Sequence, residues 1–112
     1  MTIVTLEQAR LHLRVAGDSE NSLIAIYLSA AEATAAEFLN RNVYATQAEL
    51  EAAAEPPEAM PIVINGAVQA AVLLILGHLY ANRENSAIGV SAQELPMGAH
   101  SLLQPYRIGL GV

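Results

Sequence analysis

The sequence predicts an all-α fold: a small helical bundle with one long central apolar helix, a second long Ala-rich helix, short accessory helices and an extended C-terminal tail. Three observations carry this. Apolar residues recur at helical spacing through residues 23–39 and again through residues 64–79. Helix-start signatures precede short apolar runs at Thr5 and Thr46. Much of the 54% hydrophobic fraction is alanine, which favours helix and lets helices approach closely. With 112 residues and no repeat, low-complexity tract or linker, residues 1–112 read as one domain.

Thr5 opens the first helix. Gln8, three residues on, makes a capping box in which each side chain satisfies the other's free backbone N–H. Leu6, Ala9 and Leu13 share a face, and Gly17 is placed to end the helix near Val15 and Ala16. Asp18 or Ser19 then caps a second helix running to about Asn40, with Glu20 favourable at its positive end. Its stripe is Leu23, Tyr27, Ala31, Ala35 and Phe38, widened by Ile24, Leu28 and Leu39. Glu32 and Glu37 lie off that stripe and are expected to meet water.

Asn40, Arg41 and Asn42 stop the helix, and Val43, Tyr44 and Ala45 are a short stretch suited to extended backbone. Thr46 with Glu49 repeats the capping-box pattern ahead of a short helix over residues 47–54. Glu55, Pro56 and Pro57 break it. Pro61 fits the first turn of the main helix, where its missing N–H is harmless. Ile64, Val68, Ala71, Val72, Ile75, Leu76 and Leu79 give that helix a broad buried surface, and Gly77 suggests close approach of a neighbouring helix.

Residues 60–80 are long enough to span a bilayer. Asn65, Gln69, His78, Gly66 and Gly77 argue for a bundle core instead, because polar groups are costly in lipid. After Glu84 an irregular stretch with Gly89, Pro96 and Gly98 leads to one further helical turn over residues 99–103. The tail over residues 105–112 carries Ile108, Leu110 and Val112, too apolar for a solvated tail, so it is expected to dock.

Catalytic signatures are missing. There is no cysteine, which excludes disulfides and thiolate chemistry and points to a reducing cytoplasm. His12, His78 and His100 lack ligand partners at helical metal-site spacing. No Gly-rich phosphate loop and no Gly-x-Ser-x-Gly elbow occurs, and Glu49, Glu51, Glu55 and Glu58 read as a hydrated surface. The expectation is a non-enzyme with no cofactor or metal. Lysine is absent, and a net charge of −6 makes the chain a poor grip for nucleic acid, though it can border DNA without sticking to it.

Two places look like contact surfaces. Tyr80, Arg83 and Glu84 end the main helix, as a local cap or as a subunit interface, where Tyr and Arg are over-represented. Pro105, Tyr106 and Arg107 form a tail that packs on its own domain or inserts into a neighbour.

The run from Val4 to Val15, the Ala-rich second helix ending in Phe38-Leu39-Asn40-Arg41, Pro61 and the Ala-Val-Leu-Leu core helix together resemble the phage head–tail connector family. So do Tyr80-Ala81-Asn82-Arg83-Glu84, Leu95-Pro96-Met97-Gly98 and Leu102-Leu103-Gln104-Pro105-Tyr106-Arg107. The resemblance covers nearly the whole chain. It implies a structural adaptor of a tailed double-stranded-DNA phage, prophage or gene transfer agent. Copies would form a homo-oligomeric ring of about twelve subunits under the portal protein. The ring would extend the DNA channel without sequence-specific binding and meet a head-completion or tail protein. The implied location is the head–tail junction of the virion, after assembly in the bacterial cytoplasm and with no membrane partner. The implied interface set is Tyr80, Arg83, Glu84, Leu102, Leu103, Pro105, Tyr106 and Arg107. The rival reading is a soluble helical module that binds a small apolar ligand or a protein partner between its helices.

Overall fold

A computed structural model of the chain describes residues 3–81 and 95–108. Five α-helices occur among them: α1 Leu6–Leu13, α2 Asn21–Leu39, α3 Gln47–Ala53, α4 Gly66–Ala81 and α5 Met97–Leu103. Short 3-10 turns cover Pro57–Ala59 and Gln104–Tyr106. The architecture is helical, with one departure from all-α. Strands β1 Val43–Tyr44 and β2 Ile62–Val63 pair in parallel, with Val43 opposite Ile62 and Tyr44 opposite Val63. Their β-branched residues suit extended backbone, and α3 provides the crossover that parallel strands require.

The Thr5 capping box forms with both halves present. The helix it starts ends earlier than Gly17 suggests. Arg14 takes the left-handed conformation at φ 60°, and the Val15 N–H returns to the Arg10 carbonyl at 3.0 Å. Gly17, at φ +86°, serves the turn into α2 instead, and its carbonyl accepts Arg10 Nη2 at 2.6 Å. Asp18 does not cap α2 with its side chain. It faces Arg10 across 3.6 Å, and the residue before the helix is Glu20, which makes no side-chain cap. Asn40 ends α2 in the left-handed conformation that asparagine tolerates.

The expected stripe of α2 is buried at Ile24, Tyr27, Leu28, Ala31, Ala35, Phe38 and Leu39. Glu32 is a correction. It is buried, and its carboxylate accepts the backbone N–H groups of Ile3 at 2.6 Å and Val4 at 3.0 Å. Those donors come from the segment ahead of α1, so sequence position within α2 could not reveal them. Glu37 is exposed as expected.

Pro61 does not start α4. It leads into β2, and Asn65 caps the helix, its Oδ1 accepting the Val68 N–H at 3.0 Å. The apolar run at 60–80 thus divides into a two-residue strand and a helix of 16 described residues, fewer than a full bilayer span needs. Among the described residues α2 is the helix long and apolar enough to cross a membrane, and half of that stretch is buried in the bundle. Val68, Ala71, Val72, Ile75, Leu76 and Leu79 of α4 are fully buried against α2, α1 and α5.

The expected helical turn over residues 99–103 forms within α5, which runs into the 3-10 turn Gln104–Tyr106; Arg107 is extended, and residues 109–112 of the expected tail lie outside the described residues. Leu103 is fully buried, worth about 2 kcal/mol of apolar burial. The Ile108 N–H donates to the Leu39 carbonyl at 3.0 Å, closing the segment onto the end of α2.

Candidate functional site

The sequence-predicted interface residues separate to the two ends of the bundle. Tyr80 lies in the last turn of α4, half-buried, and its hydroxyl donates to Glu20 Oε1 at 2.8 Å, next to the start of α2. Arg83 and Glu84 lie outside the described residues. Leu102, Leu103, Pro105, Tyr106 and Arg107 sit near the other end of α2. The Arg107 guanidinium lies over the Phe38 ring, 4.7 Å from its centroid. Glu20 and Phe38 are 18 residues apart on one helix, about 27 Å. Tyr80 and the described C-terminal residues therefore lie apart, at opposite ends of α2.

Within the C-terminal group, Leu103 commits its side chain to the domain's own core and Leu102 packs half-buried beside it. Pro105 is exposed, while Tyr106 and Arg107 are half-buried. The Tyr106 carbonyl accepts Arg41 Nη1 at 3.1 Å, and Arg41 Nε also donates to the Met60 carbonyl at 2.6 Å. Arg41 thus ties three distant parts of the chain beside an open depression of about 400 Å³ lined by Glu37, Asn40, Asn42 and Glu55. In that depression the Glu55 carboxylate accepts Asn42 Nδ2 at 3.0 Å and the Tyr44 hydroxyl. The hydrogen bond to Glu55 raises the Tyr44 phenol above its ordinary value, with burial and the carboxylate charge acting in the same direction.

A surface that the sequence reading did not single out runs along the outer face of α4. Ala70 and Leu73, with Val4, Gln8, Leu11, His12, Gly66 and Gln69, line a depression of about 500 Å³ against α1. On the other flank α5 approaches, with Gly98 close to the Leu74 side chain. The helix α4 contains no Asp, Glu, Lys or Arg. The one sequence signal was its apolar character all round, which leaves apolar residues on the side away from the core. Among the described residues, no three His, Asp or Glu group as a metal site.

No curated protein and no solved structure matches the chain. The protein-family model described as phage gp6-like head-tail connector protein matches residues 3–107, which takes in every described element from α1 through the 3-10 turn at Gln104–Tyr106. The chain belongs to the phage head–tail connector family.

Proposed function

We propose that this chain is a structural adaptor at the head–tail junction of a tailed phage or prophage virion, where copies associate side by side into a ring beneath the portal. The match to the connector family over residues 3–107 carries this reading. A bundle whose long helices bury their stripes against each other is a rigid part that needs no catalytic group. The net charge of −6 per copy suits the wall of a channel that DNA must traverse without adhering. The ring contact is side to side and closes by rotation, as head-to-tail contacts between identical subunits do. The exposed Pro105 and half-exposed Tyr106 and Arg107 offer one end of the bundle to the portal or to a completion protein, and the Tyr80 end offers the other.

Light scattering of the purified protein, alone and with its cognate portal, tests this. A closed multimer alone, or one formed on the portal, is the expected result. A chain that stays monomeric across concentration and ignores the portal overturns it.

A further inference from the structure

The solvent faces of α2 and α4 share an unusual property. From residue 21 to residue 36, α2 carries a single charge, Glu32, and that side chain is buried. Its exposed residues there include Ser22, Ala25, Ile26, Ser29 and Ala33. The outer face of α4, at Ala70, Leu73, Leu74 and Gly77, is equally free of charge. Solvated helix faces ordinarily carry charged side chains. Of the five large apolar side chains exposed among the described residues, four lie on or beside these two faces: Leu11 at 73%, Ile26 at 52%, Leu74 at 38% and Met97 at 85%.

The two faces point in opposite directions. The helices pack against each other through their buried stripes, and each uncharged face lies across its helix from that stripe. The shapes differ as well. The α4 face is a trough, with α1 on the Leu73 side and α5 on the Leu74 side. The α2 face is a ridge of small residues from which Ile26 projects.

We propose that the α4 trough receives the α2 ridge of a second copy of this chain, which rests on the reading that copies assemble into a ring. The electrostatics single out this occupant. Two copies at −6 repel wherever carboxylates meet, and Glu37 and Glu55, which line the depression at the C-terminal end of α2, come after the uncharged stretch of residues 21–36. Neutral ridge against neutral trough brings the chains together without that repulsion.

The ends then match in sign. Arg14 ends α1 and makes no ion pair among the described residues. The start of α2 lies at the same end of the bundle, since Arg10 reaches Asp18 there. A small rotation between copies brings the neighbour's acidic Asp18–Glu20 turn toward Arg14. Because front meets back, the contact repeats from copy to copy until rotation closes it.

The test uses two single variants, Leu11→Asp in the trough and Ile26→Asp on the ridge, with helicity checked by circular dichroism and mass by light scattering. Both positions are exposed, so the fold is expected to survive. Wild type should form closed multimers, alone or with its portal, and under the same conditions neither variant by itself should do so. An equimolar mixture should give a species of twice the monomer mass, because the intact trough of one variant takes the intact ridge of the other and neither can extend further. A wild-type chain that remains monomeric both alone and with its portal overturns the self-assembly reading, and the contact with it. Wild-type multimers that both variants still form, or a mixture that stays monomeric, overturn the contact alone.

Discussion

The carboxylate of Glu32 accepts the backbone N–H of Ile3 at 2.6 Å, across 29 residues of sequence. The Val4 N–H donates to the same oxygen, Oε2, at 3.0 Å, completing a clamp that fixes the segment ahead of α1 against the middle of α2. The segment is held further by Gln69, whose Nε2 donates to the Ile3 carbonyl at 3.2 Å. Ile3 and Val4 can therefore enter the core with their backbone N–H groups and the Ile3 carbonyl paired.

Replacing Glu32 with alanine strands two buried donors, each of which costs about 1–3 kcal/mol. The expected loss of stability is about 2–6 kcal/mol, read from urea unfolding of the variant beside wild type. Glu32→Gln keeps one acceptor oxygen and should lose clearly less. Equal losses in the two variants would assign the effect to packing rather than to the hydrogen bonds.

Gly77 gives a prediction of opposite sign. A Cβ built there would lie 3.5 Å from His12 Nε2, an ordinary contact, so α1 does not demand glycine at this position. Gly77→Ala removes the helix penalty of glycine and should stabilise the fold by about 0.5–1 kcal/mol. A lower midpoint of thermal unfolding would show that α1 and α4 sit closer than this spacing.

Tyr80→Phe keeps the ring and removes the hydroxyl that reaches Glu20 Oε1. The bond joins the last turn of α4 to the start of α2, and it is half exposed, so the expected cost is about 1 kcal/mol. Amide exchange should quicken at the first turn of α2 while the middle of that helix stays protected. Unchanged exchange there would mean that the bond does not hold the two helix ends together.

The Tyr44–Glu55 pair makes a prediction in pH. The folded-state Tyr44 value lies above the ordinary tyrosine range, so the pair's contribution is fully present below that range. It fades as pH rises through the raised value. Alkaline absorbance titration of Glu55→Gln should move the Tyr44 transition back toward the usual tyrosine range. A titration curve that Glu55→Gln leaves unchanged would remove Glu55 as the cause.

The parts of the fold legible in the sequence are those governed by neighbours in sequence. The Thr5–Gln8 box, the Thr46 cap and the Asn40 stop each depend on residues within one turn, and all three form. The buried stripes of α2 and α4 follow from periodicity. What escaped depends on partners far along the chain. Glu32 sits where periodicity predicts water, yet residues 3 and 4 supply its donors. Pro61 suits a helix start, yet strand pairing with residues 43 and 44 claims the residues after it.

The candidate contact residues show the same division. Residue type singles out Tyr80 and residues 102–107 as candidates for contact, and only the fold reveals that they stand at opposite ends of α2. Leu103 and Leu102 look alike as a dipeptide, and helical geometry sends one fully into the core and leaves the other half exposed.

The short stretch after α2 has a consequence for how the molecule opens. Within residues 39–44, the Leu39 carbonyl holds Ile108, the Arg41 guanidinium holds the carbonyls of Met60 and Tyr106, and Asn42 and Tyr44 hold the amides of Ile62 and Ile64. Six residues thus act as a rivet through which the middle and the end of the chain are both fastened. The C-terminal segment and the strand pair then loosen as one cooperative unit. A load on the Pro105 end is expected to reach Met60 through Arg41, which bonds the carbonyls of both Met60 and Tyr106.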